Sequence, residues 1–359
     1  MPHWTLSLTS LFAIGCAVFP AQVSSQVVPA SSAASQFSLG SSTSLPFPTA
    51  TLSNNDAQTF LNSDWGLSKG RIQNGASDLT FVSDPFPNNP VPTSSTGGDT
   101  TNTSSPVLQV DYAKGSFSDD DSGGAQMYAL WNASGDAWES MMVSYEVAFD
   151  EGFDWVKGGK LPGLRGGSAN GCSGGSQADG SDCFSTRIMW RTDGEGEVYA
   201  YIPKPNDICE NANVTCNDEF GASISRGVFS FAGGQWNRVT LLVRMNSPLN
   251  TTNGQIVVYY NDIEVINQAD FQFRNDSSLT PGGFYFSTFF GGDDSSWAPS
   301  SDVHSYFRNI QMWASTSASD LEGATVSSTA SRLIPFASSG SWMLWIACLC
   351  IAAAIGFPM

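Results

Sequence analysis

Histidine is nearly missing from this 359-residue sequence: there are two, and only His304 lies beyond the first few residues. Its scarcity removes the HExxH helix of zinc peptidases and leaves a Ser-His-Asp hydrolase with a single candidate base. Basic residues are also few, 15 Lys and Arg against 33 Asp and Glu, for a formal charge of −18. Such acidity argues against nucleic-acid binding and opposes a polyanionic ligand at long range unless a local basic pocket offsets it. No window sustains a helical period, and there is no nucleotide loop, heptad repeat or other cofactor motif. No cofactor or metal site is therefore expected, and nothing in the sequence fixes an oligomeric state.

Long apolar runs occur only at the two ends. Residues 1–25 contain LSLTSLFAIGCAVF followed by the small residues of AQVSS, which reads as a secretory signal, although no Lys or Arg precedes the run. Residues 334–359 form a second, short apolar tail with no basic residue behind it, and 316–333 are small and polar. That order is what a glycolipid-anchor signal requires, with a short membrane helix as the rival. The expectation is a secreted protein held at the cell surface or wall, touching the membrane only through a lipid. Residues 26–50, rich in Ser, Ala, Thr and Pro, read as a disordered leader, leaving 51–315 as the folded domain.

Three of the seven cysteines fall in the terminal segments, and Cys172, Cys183, Cys209 and Cys216 remain. Four cysteines in a secreted chain point to two disulfides, and the short separations favour 172–183 and 209–216 among three connectivities. The spacings are not CxxC, which argues against zinc. Asn102, Asn132, Asn213, Asn250 and Asn275 each begin an N-x-S/T glycosylation sequon.

Beyond Val107 the pattern is almost wholly strand. Eleven short segments, among them AQMYALW, MMVSYEVAF, FSTRIMWR, EVYAYI, NRVTLLVRM, QIVVYY and GFYFSTFF, are rich in β-branched and aromatic residues and divided by Gly, Asn, Asp or Pro. This spacing predicts a single all-β domain, an antiparallel sandwich or jelly roll. Asn261-Asp262 between two strands is hairpin chemistry. NRVTLLVRM sets Val239, Leu241, Val243 and Met245 on one face against a mixed face, as for a sheet covered on one side.

One stretch runs against the acidic background. Between Trp155 and Arg191 there are five Lys or Arg and two Asp. In FSTRIMWR, strand alternation sends Ser185, Arg187, Met189 and Arg191 one way, and in EVYAYI it sends Glu197, Tyr199 and Tyr201 opposite the apolar set. If TDGEG joins the two as a hairpin, Ser185, Arg187, Arg191, Tyr199 and Tyr201 share one face. Tyrosines with arginines stacked on them on a sheet surface would look the same. KGGKLPGLRGG tips the balance, because its glycines and proline let the backbone bend beside the sheet and bring Lys157, Lys160 and Arg165 near that face.

The run from about Tyr145 to Trp313 resembles the polysaccharide lyase family 14 type of β-jelly roll, known for alginate and related polyuronate lyases. The features that carry the resemblance are YEVAFDEGFDWVKGGKLPGLRGG, the cysteine-bounded glycine loop, FSTRIMWR, EVYAYIP and FFGGDDSSWAPSSDVHSYFRNIQMW. It implies catalytic roles for Lys160, Ser185, Arg187, Tyr199 and Tyr201, with Lys157 a rival to Lys160. Arg165, Arg191 and His304 are added as candidate substrate contacts. The implied chemistry is β-elimination on a 4-linked polyuronate of glucuronan or alginate type, with Arg187 and Lys160 neutralising the carboxylate. A tyrosine whose pKa is lowered by those cations would serve as base and acid.

Other features carry less. Asp150, Glu151 and Asp154 crowd into a loop rather than forming the strand-borne E-x-D-x-x-E set of laminarinase-like hydrolases. Asp293 and Asp294 read as turn residues rather than a calcium site. The disulfides are expected to brace loops on either side of the groove. The signal, sequons and anchor tail resemble those of a fungal surface protein. A non-catalytic polysaccharide-binding or wall-organising protein on the same fold is the competing reading.

Overall fold

A computed structural model of the chain describes residues 26–92, 106–118, 123–131, 137–205 and 208–326. The terminal segments 1–25 and 334–359 and the sequons at Asn102 and Asn132 lie outside the described residues. In chain order the elements begin with α1 (Ala30–Gln36), β1 (Ser41–Ser44), α2 (Asn54–Asp64), β2 (Leu79–Val82), β3 (Val107–Tyr112), β4 (Ala125–Leu130) and β5 (Ser140–Phe149). They continue with β6 (Gly158–Gly167), β7 (Cys183–Arg191), β8 (Glu195–Tyr201), β9 (Val214–Thr215) and β10 (Ala222–Ser230). The last five are β11 (Trp236–Arg244), β12 (Gly254–Tyr260), β13 (Ile263–Phe271), β14 (Pro281–Phe290) and β15 (Val303–Ser315).

Two antiparallel sheets form the jelly roll. One runs β13-β12-β11-β5-β15-β3-β2, with β1 added on β15, and the other runs β4-β14-β6-β7-β8-β10-β9. Between them lies the main core, in which Val143, Tyr145, Val147, Leu241 and Phe307 of the first sheet meet Leu161, Leu164, Ile188, Trp190 and Phe284 of the second. In β5, β7, β8 and β11 the inward set is the one that period-2 alternation designates. Asn261 and Asp262 both adopt positive φ, 50° and 66°, and pair β12 with β13 as a tight hairpin. Both side chains tolerate the left-handed region that such a turn needs.

Several expectations need correction. The leader is not disordered. Val28, Ala33, Ala34 and Leu39 are buried on the outer face of the first sheet against Met142, Leu242, Val257, Tyr259 and Trp313, and β1 pairs with β15 from Ser41↔Ala314 to Ser44↔Gln311. Small alanines suffice because the sheet itself supplies the large apolar partners. The mixed face of β11 is therefore covered as well. Asn54–Asp64 forms a helix whose core-facing side chains are Ala57, Phe60 and Leu61, a single apolar turn in an otherwise polar segment.

KGGKLPGLRGG, read as a bend beside the sheet, is instead the strand β6 in its middle, paired with β7 on one side and β14 on the other. Its glycines serve close approach. A Cβ at Gly159 would collide with the Trp190 ring, and one at Gly163 with the Thr186 carbonyl. A register shift between Leu161 and Gly163 absorbs the proline, which has no N–H to give the ladder. The segment expected to begin a linker at 316 stays on the domain through Val326, where Ser319 Oγ donates to Asn253 O and Val326 N to Asn250 O.

Candidate active site

The outer face of the second sheet carries the site, and pairing register sets its floor. Across β7 and β8, Ser185 lies opposite Tyr201, Arg187 opposite Tyr199, and Met189 opposite Glu197. Across β6 and β7, Lys160 lies opposite Met189 and Arg165 opposite Ser185. Directly opposed residues share a face, so the predicted set converges. Above it opens a cleft of about 380 Å³ lined by Lys160, Arg187, Arg191, Tyr199, Tyr201 and Arg226, with Phe289 and Trp297 at its walls.

Arg187 is buried, yet among the described residues no carboxylate meets it. Its Nη1 donates to Ser287 Oγ at 3.0 Å and more weakly to Tyr285 Oη at 3.5 Å, and both of those hydroxyls donate in turn to Gln126 Oε1. Its Nε has no partner. Arg191 differs: its Nε and Nη2 both donate to Glu197 Oε1, at 2.8 and 2.5 Å. Arg226 Nε donates to Oε2 of the same carboxylate at 2.6 Å, and Ser223 adds a hydrogen bond. Glu197 is fully buried and thus holds two arginines at the cleft wall.

The two tyrosines meet edge to face, with ring centroids 5.9 Å apart. Lys160 Nζ lies 4.5 Å from the centre of the Tyr199 ring. Burial, with Tyr201 alongside, pushes the Tyr199 phenol well above its ordinary pKa even though Arg187 and Arg191 act to lower it. A Tyr199 pKa lowered by cations is therefore not what the unliganded site has; desolvation outweighs them. Tyr201 Oη accepts a hydrogen bond from Gly175 N–H at 3.1 Å.

Ser185 sits on this face but its hydroxyl donates to Cys172 O at 2.6 Å, and the residue is completely buried. Rather than facing the cleft, it ties down the glycine loop closed by Cys172–Cys183. The second disulfide is Cys209–Cys216. Both pairings are the favoured ones, but the two loops do not flank the cleft. They abut at one end of it, where Gln177 Nε2 donates to Phe220 O and Lys204 Nζ bonds Gln177, Asn217 and Phe220. Lys157, exposed, lies at the rim by the Trp297 loop, with Nζ 2.5 Å from Ser296 Oγ and 5.8 Å from the Trp297 ring centre.

Two predicted substrate contacts fall elsewhere. Arg165 is on the right face but buried, with its guanidinium 4.5 Å from the Tyr128 ring centre. His304 belongs to β15 of the other sheet, alternating with the inward Val303 and Ser305. Its Nδ1 is 2.9 Å from Asp150 Oδ2, and Tyr306 Oη donates to the same carboxylate. Gln126, Tyr285 and Ser287 are not among the residues singled out from the sequence, and Glu197 is placed there on this face without a role. The signal was present: alternation in GFYFSTFF and AQMYALW sets Tyr285 and Ser287, and Gln126 and Tyr128, opposite their apolar neighbours.

The jelly roll thus presents, across one sheet, a cleft floored by cations and tyrosines that suits an anionic chain. The family model described as polysaccharide lyase 14 matches residues 100–310. The crystal structure of the marine PL-14 alginate lyase from Aplysia kurodai is 31% identical, with a TM-score of 0.61, over 77% of this chain and 98% of that one. Alginate lyase Aly36B shares the fold, at 19% identity and a TM-score of 0.51 over 76% of this chain and 100% of its own. No curated protein matches the chain by sequence. The chain belongs to the polysaccharide lyase 14 family, and it is a polysaccharide lyase.

Proposed function

We propose that the chain cleaves a 4-linked polyuronate, of alginate or glucuronan type, by β-elimination in the Arg187–Tyr199–Tyr201 cleft. The observation that carries this reading is Arg187: a buried guanidinium with no carboxylate partner among the described residues, directly opposite a tyrosine, in a chain of net charge −18. A uronate carboxylate supplies the missing counter-charge. The likeness to an alginate lyase of the same family adds to it.

In the reaction a base takes the proton from the carbon bearing the carboxylate. The electron pair spreads onto that carboxylate, then forms the C4–C5 double bond as the 4-linked oxygen departs with a proton from an acid. Arg187, steadied by Ser287 and Tyr285, and Lys160 stabilise the charge that builds on the carboxylate. Tyr199 and Tyr201 carry the proton transfers. Tyr199, kept protonated by burial, is suited to deliver the proton to the leaving oxygen, and Tyr201 is then the base. Ser185 acts through the Cys172 loop.

The product's double bond is conjugated to its carboxylate and absorbs in the ultraviolet. Incubating the purified protein with alginate, glucuronan and other polyuronates should raise that absorbance on at least one polymer; binding with no absorbance change on any would sink the lyase reading of this cleft. The same reading includes export through the 1–25 signal and retention at the surface by a lipid added within the 316–333 region, with the 334–359 tail removed. Phospholipase release of the protein from intact cells is the corresponding check.

A further inference from the structure

Five arginines are buried among the described residues, and three have carboxylate partners: Arg238 with Glu146 and Asp262, Arg308 with Glu146 and Asp84, and Arg274 with Glu139. Arg187 and Arg165 have none. Arg165 is 4% exposed, and its Nε and Nη1 find no hydrogen-bond acceptor; Nη2 donates to Ser168 O. What lies against it is aromatic. The guanidinium is 4.5 Å from the Tyr128 ring centre and 5.5 Å from that of Tyr285, and Tyr285 is also 4.9 Å from the Arg187 guanidinium. Two cations thus share one tyrosine and can be no more than about 10 Å apart, the sum of their distances to its ring centre.

Such an arrangement is unfavourable for the fold alone. A buried cation without an anion is destabilising, two together more so, and stacking on tyrosine offsets only part of it. An apolar side chain of the same length would fill the slot between β6 and the Tyr128–Tyr285 pair at no electrostatic cost. The chain as a whole has more than twice as many acids as bases, yet among the described residues none pairs with either guanidinium. The missing counter-charge is the one the substrate brings.

We propose that Arg165 is a positioning residue of the elimination, whose buried charge acts through Tyr285 and Arg187 to favour a carboxylate at Arg187 and the second negative charge that builds on it. This rests on the polyuronate-lyase reading of the cleft. The substrate's carboxylate goes from one negative charge toward two as the proton leaves, so a fixed cation nearby stabilises the transition state more than the bound substrate. The effect falls mainly on kcat. It needs the charge and not the guanidinium shape, since Arg165 does not line the cleft.

The test compares Arg165→Met and Arg165→Lys with the unaltered protein, reading Tm, kcat and KM on whichever polyuronate it cleaves. Arg165→Met is expected to keep or raise Tm while kcat falls about tenfold and KM moves less than about threefold; Arg165→Lys keeps most of the rate. Unchanged kcat overturns the proposal. So does loss of the fold in Arg165→Met, or an equal loss of rate in both variants, because either makes the residue structural. If no polyuronate is cleaved, the lyase reading fails and the elimination role with it; if one is cleaved at the same kcat by all three proteins, the role of Arg165 alone fails and the lyase reading stands.

Discussion

Replacing Tyr199 or Tyr201 by phenylalanine removes one oxygen from the cleft, and at Tyr201 the acceptor of the Gly175 N–H with it, while the rings that pack the floor are kept. Tyr199→Phe and Tyr201→Phe should each lower kcat by about 10²- to 10⁴-fold while Tm stays within a few degrees of the parent. Near-parental rates in both would contradict the tyrosine mechanism. His304, away from the cleft, makes a separate prediction. Its hydrogen bond to Asp150, against partial burial, holds the imidazole pKa above 6.5. For Asp150, burial works to raise the pKa, but bonds from His304 and Tyr306 win and hold it below 3.8. The histidine contribution is full below pH 6.5 and is lost as pH rises through the folded value; the aspartate contribution is present above pH 3.8 and is lost as pH falls through its own. Both operate together between those limits. The pair is about one-third exposed, so His304→Gln should cost under about 1 kcal/mol, a Tm loss of about 1–3 °C near pH 5.5 that shrinks by pH 8, with kcat unchanged at either pH. A loss that grows toward pH 8 would contradict the assignment.

At the scale of elements, the outer cover of the first sheet is the part most open to test. Deleting residues 26–44 uncovers Met142, Leu242, Val257, Tyr259 and Trp313 and removes the β1 ladder. The deletion should cost about 3–6 kcal/mol and lower the denaturation midpoint without changing the cleft's chemistry; an unchanged midpoint would show the segment to be dispensable. Its composition hid this role, since Ala, Ser and Pro signal disorder unless the partner surface is known. Strands β7, β8, β11 and β14 were legible because each alternates polar and apolar side chains, and their register then follows from which set is apolar. β6 was not, because its glycines answer to Trp190 and Thr186 on the next strand, which sequence neighbours do not reveal. The same limit applies to site residues. Arg187 and Tyr199 could be placed on one face by alternation, whereas the turning of Ser185 to Cys172, the burial of Arg165 and the removal of His304 to the other sheet depend on long-range packing.

For the molecule as a whole, charge is distributed with a purpose that chemistry explains. The chain is strongly acidic, its other buried arginines are neutralised, and the unneutralised pair Arg165 and Arg187 lies under one cleft beside two tyrosines. A hydrolase would need a positioned water and a carboxylic acid there; Glu197 is the buried carboxylate nearest the tyrosines in sequence, and both its oxygens are committed to Arg191, Arg226 and Ser223. Elimination needs neither. The mass of the fragments released from a defined uronate oligosaccharide therefore decides the matter. Elimination predicts that the fragments together have the mass of the substrate, with one of them a water lighter than the corresponding saturated sugar. Fragments that together exceed the substrate by one water would mean hydrolysis, and would contradict the account.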